Sequence, residues 1–326
     1  MRGMMAEAMA PQQDTTIVLP DILVVIPTRN RPADLARCLE SLTLIAYPSW
    51  ELLIVDQGDD DATRQMVEMY QDRLPATTYV RTPERGLCRA RNVGLRRAGT
   101  GIVAYLDDCT VEPQWLAAVA AAFDRYPSAT LVFGSLHAAP HDPQQVFVPA
   151  MAVVQELEIA GSFPREDFGM GASMYVWPAR SAHRHRFDVH LGAGARWPAA
   201  DERDYACRLV LSGESLVLTP TIHVQHYGAR SRAQGAAGKL FRGYMLADGA
   251  MDMKMIRCGD IASVWRALTL IRIYTASLLS ALATGRRPLG LGRLAMYVRG
   301  LAESFLLPVD RSQRRYRGIK PVARRG

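Results

Sequence analysis

Two acidic pairs are the residues in this chain best suited to chemistry. Asp107 and Asp108 close the apolar run IVAYLDD, and Asp201-Glu202 follow the Gly-rich stretch LGAGARWPAA. Adjacent carboxylates at a strand end can seat Mg2+ or Mn2+, with other ligands drawn from substrate phosphate oxygens. Such an ion offsets the charge that develops on a departing diphosphate. Alone, the first pair serves equally to cap a turn, and the second to cap a helix and complement its dipole. His223 and His226, in HVQHYG, alone read as strand or loop histidines. Cys109 follows the first pair where a third acid could stand, and a thiol is a poor partner for Mg2+.

The elements that must position these groups alternate between strand and helix. ILVVIP and ELLIVD are short continuous apolar runs, the pattern of strands covered on both faces. TYVR, IVAYLDD, TLVFG, SMYVWP and SLVLT are the further strand candidates. PADLARCLESL carries Pro32 at a first-turn position and Leu35, Leu39 and Leu42 at helical spacing. ATRQMVEMYQDRL, GLCRARNVGLRRA and PQWLAAVAAAFDRY are the helices that follow. Strands separated by such helices predict right-handed β-α-β units and a mainly parallel sheet. Ligands in such sheets bind beyond the carboxyl ends of the strands. That rule gathers Pro27-Thr28-Arg29, Asp56 and Asp107-Asp108 along one edge.

Five segments in this order resemble the family 2 glycosyltransferases: VVIPTRNRPADLARCLESL, ELLIVDQGDDDAT, RGLCRARNVGLRRAGTGIVAYLDD, GMGASMYVWPARS and FDVHLGAGARWPAADERDYACRL, closed by HVQHYG. The resemblance covers roughly residues 20–230. It implies an α/β GT-A fold, a Rossmann-like mainly parallel sheet with helices on both faces, plus a C-terminal helical extension. It implies that Pro27, Thr28 and Arg29 line the nucleotide pocket and that Asp56 contacts base or ribose. Arg91 and Asn92 would face the donor nucleotide, Asp107 the ribose, and Asp108 the metal. Asp201-Glu202 matches the family's acid pair, whose second member is the catalytic base; Glu202 is therefore the leading candidate and Asp201 the reserve. His226 matches a histidine that completes the metal or diphosphate site. Departures are Gln57 for an acid, Asp59 for a serine, an inverted acid pair, and Cys109, which puts the divalent metal (Mg2+ or Mn2+) in question.

The implied reaction is inverting transfer of a sugar from a nucleoside-diphosphate sugar to a glycan or lipid-linked acceptor, in surface polysaccharide or glycolipid synthesis. An inactive nucleotide-sugar-binding regulator is the alternative, and a nucleotidyltransferase the third reading. The latter lacks a basic Gly-rich loop after the first strand.

Composition frames these readings. With 49% apolar and 22% charged residues the chain is of globular type. Its five cysteines are widely spaced, with no CxxC pair, which argues against a disulfide scaffold or structural zinc and fits a reducing cytosol. Residues 1–19 read as a flexible tail without the apolar core of a signal peptide, residues 20–230 as the catalytic domain, and residues 231–326 as a helical, basic extension. From Arg286 onward eleven basic residues face only Glu303 and Asp310, a surplus of nine within a net charge of +7. The basic residues between Arg230 and Lys254 suit either a cover over the diphosphate or a solvated face. No nucleic-acid module is recognisable. Basic residues interleaved with Leu, Tyr and Phe predict peripheral contact with an anionic membrane, at the cytoplasmic face of the inner membrane. Arg272 interrupts the apolar stretch 267–285 as a spanning candidate.

Overall fold

The structure, a computed structural model, describes residues 19–99, 101–107, 109–163, 173–183, 185–285 and 290–318. Four parallel strands form its first half: β1 (Ile22–Thr28), β2 (Trp50–Asp56), β3 (Thr77–Arg81) and β4 (Ile102–Tyr105). They are joined by α1 (Pro32–Leu42), α2 (Ala62–Glu68) and α3 (Leu87–Arg97). After β5 (Cys109–Thr110) and α4 (Trp115–Arg125) come β6 (Ala129–Ala138), β7 (Val146–Phe147), β8 (Leu157–Ile159) and β9 (Met174–Val176). Helix α5 (Asp201–Val210) leads into the long strand β10 (Ser215–His226) and the short β11 (Arg230–Ser231).

The main sheet runs in the order β3-β2-β1-β4-β9-β6-β10-β5, with β8 added to β10. β9 inserts antiparallel between β4 and β6, so the sheet is mixed at its centre. Register sets the functional edge: Thr28 lies opposite Asp56, and Asp56 opposite Arg81. One apolar layer packs α1 and α4 on one face through Leu35, Leu39, Trp115 and Phe123. The other packs α3 and α5 on the opposite face through Ala90, Tyr205 and Leu209.

Two elements depart from the sequence expectation. The predicted helix 62–74 ends at Glu68, and a 3-10 turn (Gln71–Arg73) follows. Arg73 is drawn across to Glu40 on α1, with an Nη1–Oε2 distance of 3.0 Å. SLVLT and HVQH, separate in the sequence reading, belong to the single strand β10. Pro220 interrupts the ladder between them, because it has no N–H to donate, and the pairing with β6 shifts register there.

Beyond β11 the chain forms α6 (Ala236–Arg257), α7 (Ile261–Thr284), α8 (Leu291–Phe305) and the pair β12 (Val309–Asp310) and β13 (Arg315–Tyr316). α6 joins the body's own core through Met251 and Met255. It crosses α8 at Gly249 and Gly300, where an added Cβ would fall 2.1 Å from a facing backbone oxygen. Only glycine permits that approach.

Candidate active site

At the edge formed by the strand ends, backbone and side chains build a cradle around the first loop. Thr28 and Asp56 are buried, and the Gln57 N–H donates to the Thr28 carbonyl at 2.9 Å. Asp56 accepts from the Gly58 N–H at 2.7 Å and from the Tyr79 hydroxyl at 2.6 Å. Its carboxylate therefore shapes the loop from within. Gln57, the residue that replaces an acid, exchanges hydrogen bonds with the backbone of Gly86, at 3.1 and 3.3 Å. An amide does this where a carboxylate could not, since it both donates and accepts. Asp59 collects Asn30, Arg85 and Arg29 at 2.9, 2.7 and 3.6 Å.

Asp107 pairs with Arg31, Oδ1 to Nη2, at 3.0 Å. Arg31 escaped the sequence reading; its signal is Pro32, which starts α1 and leaves Arg31 at the helix cap, aimed back toward the strand ends. Asp108 lies outside the described residues. Cys109 is buried, donates its thiol to the Asp107 carbonyl at 2.9 Å, and is pushed well up by burial and the Asp107 charge. It is thus a neutral packing group.

Strand β10 pairs antiparallel with β5 so that His226 lies opposite Cys109. Its Nδ1 lies 3.0 Å from the Pro149 carbonyl, an acceptor, so that nitrogen carries the proton. Nε2 is left with its lone pair. Burial lowers the His226 pKa despite the pull of Asp107, favouring the neutral ring that metals bind. No cluster of three or more His, Cys, Asp or Glu occurs among the described residues. His226 has the donor chemistry that an ion takes, and Asp107 beside it is engaged by Arg31.

Across the site, Arg91 of α3 is 1% exposed and clamps the second acidic pair. Its Nη1 lies 2.6 Å from Asp201 Oδ2, and its Nη2 lies 2.9 Å from Glu202 Oε1. The guanidinium also stands over the rings of Tyr105 and Phe187, 5.6 and 5.4 Å from their centroids. Asn92 exchanges two hydrogen bonds with the backbone of Phe187, at 3.0 and 2.8 Å. That locks the stacked Phe187–Tyr205 pair under the clamp. Both side chains are turned inward, so Arg91 and Asn92 act on the acid pair and its support.

One cation between two carboxylates leaves a surplus of negative charge, and the two acids divide it. Burial first, and the Glu202 charge second, push Asp201 up to about 8. Burial works the same way on Glu202, but the Arg91 charge and hydrogen bonds from the backbone, Arg91 and Asp201 together outweigh it and hold Glu202 below the usual range. The opposite directions of the two shifts favour the proton on Asp201 and the charge on Glu202. Glu202 is also the more open of the two, 18% exposed against 4%. Their helix begins abruptly: Ala200 adopts a left-handed conformation (φ 65°), and Gly192 (φ 91°) passes so close that a Cβ would lie 3.0 Å from the Asp201 carboxyl carbon. Tyr244 of α6 feels the charges of Glu202 and Arg230, and Arg230 also acts on His226.

Strand-end loops opposite a helix that opens on a clamped carboxylate pair define a GT-A transferase fold. Solved structures have the same fold. A mannosyltransferase from Pyrobaculum calidifontis, in complex with GDP-Man and Mn2+, superposes with a TM-score of 0.58 at 18% identity, covering 89% of this chain and 88% of its own. S. aureus TarS 1-349 in complex with UDP-GlcNAc gives 0.56 at 16% identity, covering 87% and 80%. Residues 23–157 match Glycosyl transferase family 2. Validoxylamine A glucosyltransferase of Streptomyces hygroscopicus subsp. limoneus is 34% identical over 163 residues, 48% of this chain and 34% of that protein. Glycosyltransferase AglE of Haloferax volcanii is 33% identical over 107 residues, 31% and 34% respectively. The chain thus spans about a third of the length of these curated relatives.

Proposed function

We propose that this chain transfers a sugar from a nucleoside-diphosphate sugar to a hydroxyl of a glycan or lipid-linked acceptor, with inversion. The observation that carries the reading is the clamped acid pair: Arg91 reaches both Asp201 and Glu202, and Glu202 is the more open of the two. An ionised, partly open carboxylate at a helix start is the general base that inversion needs. Glu202 takes the proton of the acceptor hydroxyl as its oxygen bonds to the anomeric carbon. The bond from that carbon to the diphosphate oxygen breaks, and its electron pair leaves with the nucleoside diphosphate.

The first loop and Asp56 shape the nucleotide end, and Arg31 and Arg230 add positive charge near the departing diphosphate. Asp107, Asp108 and His226 would hold a divalent ion, which supplies further charge to that leaving group. Mannosyl and N-acetylglucosaminyl nucleotides bound by the two fold relatives support the donor class.

The test is a panel of nucleoside-diphosphate sugars, read by thermal stabilisation with and without Mn2+ and then by transfer. One donor is expected to raise the melting temperature and to be consumed. Stabilisation by a donor that undergoes neither transfer nor hydrolysis would establish the inactive binding protein instead.

A further inference from the structure

α7 is the helix least accounted for by the fold. It has no Asp or Glu in its 24 residues, and its most apolar window has a mean hydropathy of 1.4 with only 11% buried. Ile261, Trp265, Leu268, Arg272, Leu279 and Leu282 fall at intervals of three, four and seven, a single stripe along the helix. All six are exposed, Trp265 at 50% and Leu282 at 67%. Val298, Phe305 and Leu306 extend exposed apolar surface onto α8 and its end. A monomer in water seldom leaves so much contiguous apolar surface uncovered.

The opposite face of α7 is fastened to the body. Arg266 makes a two-oxygen ion pair with Asp252 of α6, at 2.5 and 2.6 Å, and reaches Asp248 at 3.6 Å. Ser263 and Ala267 are buried beside it, and Ala281 is buried near the far end. Midway, the Tyr274 hydroxyl contacts Met245 Sδ at 3.8 Å, and its ring fills the space beside Gly290. Only residues 268–284 lie beyond the ion-paired start, about 25 Å of helix against a hydrocarbon core of about 30 Å. A helix held at its start, middle and end cannot leave the body to cross a bilayer. It can lie on one.

We propose that the outward stripe of α7, continued onto α8, is a docking surface for an anionic bilayer, in which the helix lies in the interface plane. Charge selects this occupant. The stripe carries a cation, Arg272, whose aliphatic stem can lie along the apolar surface while its head stays at the phosphates. By sequence, the chain from Arg286 onward carries a basic surplus of nine, a net attraction of this end of the chain to anionic headgroups. A second copy of the chain would set that surplus against itself. The opposite, inward face of α7 meets α6 at Asp248, one helical turn from Tyr244. The surface itself does not depend on the proposed reaction.

The test is flotation of the full chain with vesicles of pure phosphatidylcholine or of equal parts phosphatidylcholine and phosphatidylglycerol. The chain is expected to float with the anionic vesicles and to be released as salt rises. The triple substitution Leu268→Glu, Leu279→Glu, Leu282→Glu should weaken binding at least about tenfold. All three side chains are exposed, so the thermal midpoint should stay unchanged and certify the fold. In vesicles with brominated acyl chains, fluorescence quenching should drop in Trp265→Phe. Flotation equal on both lipids, or unaffected by the triple substitution, overturns the proposal. So does light scattering that shows a dimer which the triple substitution splits.

Discussion

Helix α5 carries two buried ion clusters one turn apart, and they are built on opposite principles. At its first turn Arg91 faces Asp201 and Glu202, one cation against two carboxylates, with Glu202 open to the site. At Asp204 and Arg208 the charges balance. Lys254 of α6 lies 2.7 Å from Asp188 and 2.5 Å from Asp204, and Arg208 lies 2.9 Å from Asp204. All four side chains are 0–1% exposed. The Tyr316 N–H donates to Asp188 at 2.9 Å and seals the group from the C-terminal side. A balanced, closed cluster holds elements together. An unbalanced, half-open one keeps a proton and a charge available for exchange.

The titration of the acids records the same contrast. Burial opposes ionisation of Asp188 as it does of Asp201, but the Lys254 charge and hydrogen bond prevail and hold Asp188 below the usual carboxylate range. Asp201, with Arg91 shared and Glu202 beside it, goes up to about 8. Two buried acids in neighbouring clusters therefore move in opposite directions, because the local count of cations differs.

The largest expected effect comes from removing the available charge. Glu202→Gln should reduce transfer by about 10²–10⁴, while thermal stabilisation by the donor and the midpoint of unfolding stay near those of the parent. Retained turnover would assign the base elsewhere. The balanced cluster should respond in the other currency, stability. Lys254→Met strands two buried carboxylates with Arg208 alone and should cost about 3–5 kcal/mol in urea unfolding. Its specific activity, per folded molecule, should fall far less than that of Glu202→Gln. If the two variants lose activity equally at full folding, the division between chemical and structural clusters fails.

Much of the frame around these clusters was legible in the chain. Apolar runs gave the strands, Pro32 and the Leu35–Leu39–Leu42 spacing gave α1, and the strand-end rule put Thr28, Asp56 and Asp107 on one edge. What could not be read were pairings made across long stretches of chain. Arg91 meets acids 110 and 111 residues away, and Lys254 reaches back 66 residues to Asp188. No local period encodes such contacts; they depend on how helices already formed are stacked. Cys109 differs, since its partner is two residues away: its type suggested a weakened ligand, and its burial shows a neutral thiol on a backbone carbonyl. Asn92 belongs with the long pairings, since the helix that carries it was plain but its grip on Phe187, 95 residues away, was not.

A smaller effect sharpens the comparison through pH. Asp201 has a folded pKa above its unfolded value of about 4, so the stability it confers is present below that value and is lost as pH rises toward 8. Asp188 has the reverse sign: its contribution is present above the unfolded value and is lost as pH falls through its lowered folded pKa. Asp201→Asn should therefore flatten the decline in stability between about pH 4 and pH 8, measured as urea midpoints at unit pH steps. Because the amide resembles the protonated acid, transfer at pH 7 should largely survive. Loss of activity equal to that of Glu202→Gln would make Asp201 the base and Glu202 its partner.

The smallest effect sets the floor. Arg299 and Glu303 form an i,i+4 pair on α8, Nε to Oε1 at 2.7 Å, with the arginine 62% exposed. Its geometry is as good as that of the buried pairs, but water screens both charges and the long side chains must be ordered to meet. Arg299→Ala should cost only about 0.3–0.5 kcal/mol, and less in high salt. A loss approaching that of Lys254→Met would mean that distance alone governs these pairs. The expected tenfold gap instead attributes the strength of the α5 clusters to burial and to the absence of any other partner for the charge.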